Sequence, residues 1–210
     1  MNTYTLNLKP LAPKITVEHF EQLCQLNPEL KLETNHHGEL IVMSPTGYET
    51  GKNNADLLIQ FGIWNRQYKL GIICDSSTGF ILPNGAIRSP DLSWIEKERL
   101  TRFSKKEKEK FLPLTPDFVL ELMSPSDKLK DTQAKMTSDP ASSYGARERA
   151  RMQEYQDNGV KLGWLINPQQ QQIEVYRQGQ AMEVRNKPST LSGEELLPNL
   201  VIELDFIWYE

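Results

Sequence analysis

Cysteine is scarce in this chain, with two in 210 residues. Cys24 and Cys74 lie far apart, each in an apolar run, and no CxxC pair or Cys/His cluster at zinc spacing accompanies them. A zinc motif is therefore excluded, and both residues read as buried free thiols. Long apolar runs are also missing. No stretch approaches the eighteen or more uncharged residues of a membrane span, and the opening MNTYTLNLKPLAPK lacks an apolar core of the secretory kind, so a cytoplasmic protein is expected. Positive charge is not in excess either. A formal net charge of -4 argues against tight, indiscriminate nucleic-acid binding, which phosphate neutralisation dominates. Any DNA site must be a local basic patch.

What is present is the balance of one globular domain, with 38% hydrophobic and 25% charged residues around a single core. Residues 1–14 read as a tail before a domain spanning 15–210. Val17, Phe20, Leu23 and Cys24 after Thr16 predict a capped amphipathic helix closed by Pro28. LKLET and ELIVMS flank the turn NHHG as a hairpin. A long helix is predicted from about Thr46 to Tyr68. GIICDSS, GFILP, IRSPDLSWIE and PDFVLELMS read as strands, interrupted by a charged segment, KERLTRFSKKEKEKF, read as a solvated helix and loop. A helical region then leads to KLGWLIN, QQIEVYRQ and MEVRN as further strands, and LPNLVIELDFIWY closes the chain as an edge strand or docked segment. This order implies an α/β or α+β fold, a mixed central sheet flanked by helices. Residues 137–152, TSDPASSYGARERARM, place Pro140 and Gly145 inside an otherwise helical region and read as an inserted loop.

Two carboxylates stand out. Asp91 opens an apolar strand, and Glu121 sits inside FVLELM. An acid in such a strand needs a hydrogen-bond donor, a cation or a metal ion to offset its desolvation. Two on neighbouring strands would suit Mg²⁺ or Mn²⁺. The plainer possibility is an acid satisfied by an arginine such as Arg88.

The run MSPTGYETG, followed by DSSTGFILPNGAIRSPDLSWI, PDFVLELMSPSD and DNGVKLGWLINP, resembles the Uma2 family, also called DUF820, from about Ile15 to Trp208. The resemblance implies a restriction-endonuclease-like PD-(D/E)XK core, DNA as substrate, and Asp91 and Glu121 as the metal-binding acids. Met123 stands where the usual motif has a lysine two residues after the second acid. Members of the family resemble a variant in which a lysine in a K-M-x-E-Y run on the following helix takes over. Here Lys135-Met136 keeps the first half of that run, and Arg151-Met152-Gln153-Glu154-Tyr155 keeps its spacing with arginine. Lys135 and Arg151 are thus alternative basic residues, and Arg151 can reach the acids only if the insert loops out.

Weaker signals remain. Glu49 is a candidate third acid, although Thr46 and Glu49 also fit a capping box. The run from Gly47 to Lys52 fails the phosphate-loop spacing, so no nucleotide cofactor is expected. His36 and His37 read as exposed turn residues, and the lysines between 105 and 110 as a solvated helix. A homodimer is expected from the habit of such enzymes of cutting two strands. The rival reading is a catalytically degenerate nuclease fold that binds nucleic acid or protein.

Overall fold

The computed structural model describes residues 3–6, 15–124 and 144–208. Thr16 caps helix α1 (Val17–Leu26), its hydroxyl accepting from the His19 amide at 3.2 Å. Strands β2 (Lys31–Thr34) and β3 (Leu40–Met43) form the expected antiparallel hairpin. Gly38 in its turn adopts φ 77°, a region that side chains disfavour. Strand β1 (Thr3–Leu6) pairs with β3, so part of the expected tail belongs to a sheet. Its backbone groups find partners there that a solvated tail would take from water. With β5 (Phe80–Ile81) and β6 (Ile87–Arg88) these strands make an antiparallel sheet in the order β1-β3-β2-β6-β5.

The second sheet is the frame of the molecule. It comprises β4 (Gly71–Asp75), β7 (Leu92–Glu96), β8 (Phe118–Leu122), β9 (Leu162–Asn167), β10 (Gln172–Arg177) and β11 (Glu183–Asn186). Their order is β11-β10-β9-β8-β7-β4, with β8 and β9 parallel and the other neighbours antiparallel. A parallel neighbour requires a crossover, and that connection ends in helix α3 (Tyr144–Asp157). Strands β12 (Thr190–Ser192) and β13 (Val201–Glu203) pair with each other before the short helix α4 (Asp205–Trp208). The mixed sheet and flanking helices are the α+β architecture expected.

Every residue of β8 is buried, and alternation along the strand sorts its side chains. Phe118, Leu120 and Leu122 join Trp164 and the α2 (Tyr48–Tyr68) residues Leu57, Phe61 and Trp64 in one core. Val119 and Met123 face the other way, into a cluster with Met152 and Tyr155 of α3. Glu121, between Val119 and Met123, shares the α3 side.

Three local expectations differ from the structure. Residues 144–152, assigned to an inserted loop, are helical and continuous with 153–157. ARERARMQE consists of good helix formers. Residues 137–143 lie outside the described residues. The charged segment after β7 makes two 3-10 turns, Lys97–Leu100 and Glu107–Glu109, and no α-helix. Its charges stay at the surface, while Leu100 and Phe103 pack against the cluster of Phe80 and Ile95. Cys24 and Cys74 are free, but only partly buried.

Candidate active site

The antiparallel register of β7 and β8 pairs Leu92 with Leu120. One step further it sets Asp91 opposite Glu121 at the same end of the two strands. Asp91 is partly exposed, and its Oδ2 accepts the Leu122 amide at 3.0 Å. Glu121 is 5% exposed, and its Oε1 accepts from the Tyr155 hydroxyl at 2.9 Å and from Arg151 Nε at 2.8 Å. Burial, joined by the like charges of Asp91, Glu148 and Glu33, pushes the Glu121 carboxyl up to about 8 against the pull of Arg151.

The two basic candidates separate here. Arg151 is held beside Glu121, whereas Lys135 lies outside the described residues. Helical spacing explains the placement: Glu148, Met152 and Tyr155 are the buried stripe of α3, and Arg151 lies at its edge, three residues after Glu148 and four before Tyr155. Its Nε also donates to the Tyr155 hydroxyl at 3.1 Å. Met123, at the position of the missing lysine, is buried against Met152 and Tyr155. Among the described residues, the cation beside Glu121 is Arg151 of the helix covering that face.

A third acid, from β2, shares Arg151 with Glu121. Glu33 of β2 is fully buried. Its Oε1 accepts from Arg151 Nη2 at 2.7 Å and from the Ser89 amide at 2.8 Å, and its Oε2 from Arg88 Nη1 at 3.2 Å. Burial alone would raise this carboxyl, but Arg151, Arg88 and the Ser89 amide hold it below its ordinary range. Arg88 in turn donates from Nε to Glu154 at 2.7 Å. It pairs with Glu33 and Glu154, and serves neither Asp91 nor Glu121. Sequence reading passed over Glu33 because alternation in LKLET puts Lys31 and Glu33 on the polar face of a strand, ordinarily the solvent face.

Asp91, Glu121, Arg88 and Arg151 line one cleft of about 760 Å³, together with Lys31, His36 and Arg147. His36 is thus a wall residue, its Nδ1 3.3 Å from Glu154 Oε1. Glu49 is exposed and lines a different cavity, of about 480 Å³, which shares Thr50 and Leu122 with the cleft. Nor does the capping box form: Gly47 is the N-cap of α2 without a side-chain bond, and Thr46 Oγ1 is buried with no partner among the described residues.

Among the described residues no group of three or more His, Cys, Asp or Glu is arranged to hold a metal ion. Mg²⁺ keeps several waters and is commonly held by one or two carboxylates plus substrate phosphate. Asp91 and Glu121 fit that demand: the strand register sets them opposite each other, and a dication would offset the burial and like charge that raise Glu121.

This frame, a mixed sheet whose central strands bring two acids to one cleft, is a nuclease fold. A crystal structure at 1.96 Å of a "putative nuclease belonging to DUF820" from Anabaena variabilis ATCC 29413 matches it with a TM-score of 0.68. The match covers 92% of this chain and 97% of that one at 18% identity, so it carries the fold alone. The family model Uma2, described as "putative restriction endonuclease", matches residues 17–205, and the chain belongs to that family. No curated protein matches the chain.

Proposed function

We propose that the chain is a divalent-metal-dependent endonuclease that hydrolyses DNA phosphodiester bonds in the cleft between its two larger sheets. The observation that carries this reading is the convergence of Asp91, just before β7, with Glu121 of β8 and Arg151 of α3. Asp91 and Glu121 would hold Mg²⁺ or Mn²⁺. Such an ion, when bound, activates water and offsets charge on a phosphoryl group. Arg151 presents a fixed cation to the phosphoryl oxygens, where preorganised charge is most effective. Lys31 and Arg147 on the cleft wall suit the neighbouring phosphates of the backbone, a local basic edge in a chain of net negative charge. Assembly as a homodimer would supply a second cut on the opposite strand. Among the described residues no helix is long and apolar enough to cross a membrane.

One observation favours a second reading. Arginine stays protonated and cannot serve as a proton shuttle, so the same cleft can act as a DNA-binding module that does not cut. Incubating supercoiled and single-stranded DNA with the chain and Mn²⁺ or Mg²⁺ separates the two. Cleavage that disappears in Asp91→Ala and in Glu121→Ala is the expected result. DNA retained in a mobility shift without cleavage would replace the nuclease reading with the binding one.

A further inference from the structure

We infer that Glu33 is a positioning residue, which locks the guanidinium of Arg151 against Glu121 and makes arginine, not lysine, the residue that fits position 151. The inference rests on the nuclease reading and deepens it.

Arg151 lies between two buried carboxylates on different sheets. Nε meets Glu121 at 2.8 Å on β8, and Nη2 meets Glu33 at 2.7 Å on β2. The same Nη2 also donates to the Ser89 carbonyl at 3.2 Å. These contacts use two nitrogens of one rigid planar group. A lysine ammonium is a compact point charge without that fork, and at Glu121 it would leave Glu33 with one fewer cation. Burial at Glu33 makes that loss expensive, because an acid left without its partner keeps its desolvation penalty.

Glu33 is itself immobilised. The Ser89 amide fixes Oε1, Arg88 fixes Oε2, and Arg88 is anchored on Glu154 of α3. The series of contacts Glu121, Arg151, Glu33, Arg88, Glu154 runs from the six-stranded sheet through α3 to the hairpin sheet and back to α3. Its effect on Arg151 is to remove rotamer freedom before substrate arrives. Glu33 never touches substrate in this scheme; it acts through Arg151.

The test uses the full chain with three variants: Glu33→Gln, Arg151→Lys, and both together. Gln keeps an acceptor for the Ser89 amide and removes the charge. The first readout is the Nε–H cross-peak of Arg151 in an ¹H–¹⁵N spectrum, identified by its loss in Arg151→Lys. It is expected to be sharp in the native chain and broadened by exchange in Glu33→Gln, while the backbone amide spectrum reports that the variant is folded. Should Glu33→Gln not fold, Glu33→Asp, which keeps the charge but shortens its reach, is expected to broaden the same peak. The second readout is Mn²⁺-dependent cleavage. Glu33→Gln is expected to lower kcat by about tenfold or more, since misplacement of a positioned group acts on the chemical step, and to leave KM within about twofold. Arg151→Lys should reduce kcat less in the Glu33→Gln background than in the native one.

An unchanged Arg151 cross-peak in the folded Glu33 variant would overturn the proposal. So would losses from Glu33→Gln and Arg151→Lys that simply multiply. If the native chain cuts no DNA, the nuclease reading fails by itself, and the cross-peak still decides whether Glu33 positions Arg151.

Discussion

The two faces of β8 are built from different materials. Toward α2 lie Phe118, Leu120 and Leu122, packed against Phe61 and Trp164, with the Phe118 and Trp164 rings 4.8 Å apart and near perpendicular. Toward α3 the same strand presents Glu121 to Arg151 and Tyr155, with Glu33 and Arg88 behind them. The first face is held by burial and dispersion, which do not depend on protonation. The second is held by ion pairs whose members are stable only while each keeps its partner. A dry aromatic face gives the sheet rigidity, and that rigidity lets the opposite face carry buried charge in a fixed geometry.

The contrast is open to being broken from either side. On the dry face, Phe118→Ala should have the largest effect on stability, about 3–5 kcal/mol. Urea denaturation at pH 5 and pH 8 should give the same loss, because nothing on that face titrates.

On the polar face, Glu33→Gln should cost about 3 kcal/mol at neutral pH, and here the loss should depend on pH. Glu33 has its folded pKa held below its ordinary value, so its contribution is full above that ordinary value and fades as pH falls through the lowered one. The variant should therefore show a flatter acid limb than the native chain when melting temperature is followed from pH 7 downward.

Asp117 gives a smaller version of the same behaviour at the other end of β8. Its buried carboxylate accepts the Glu96 amide at 3.0 Å and pairs with Arg99 at 2.7 Å and Lys161 at 2.9 Å. Burial would raise its pKa, but the Glu96 amide, Lys161 and Arg99 hold it below the ordinary aspartate range. Asp117→Asn should cost about 2 kcal/mol at pH 7, with the difference from the native chain shrinking in acid by the same linkage. The smallest effect is expected at Tyr155→Phe, which removes the hydroxyl bond to Glu121 and should cost about 1 kcal/mol by denaturant titration.

The dry face was legible in the sequence, since FVLELM, GWLI and a long helix with apolar spacing announce a buried sheet under a helix. Asp91 and Glu121 were legible for a related reason: an acid in an apolar strand is conspicuous. Arg151 stood as one of two alternatives because its motif spacing was visible, while its location depended on where the helix begins. Pro140 and Gly145 suggested a loop through 152, but residues 144–157 are helical, and that helix brings Arg151 to the site. Glu33 was hidden, because the alternation in LKLET is the same whether its polar face meets water or a guanidinium from another part of the chain. Long-range pairing of charge, 118 residues apart for Arg151 and Glu33, leaves no periodic trace.

The most direct measurement is the rate of Mn²⁺-dependent cleavage of a DNA duplex by the native chain and by Arg151→Ala, with Mn²⁺ binding followed separately by calorimetry. If the polar face of β8 is an active site completed by Arg151, the variant should still bind Mn²⁺ but cleave about 100-fold more slowly. Equal rates in the two chains would contradict that claim.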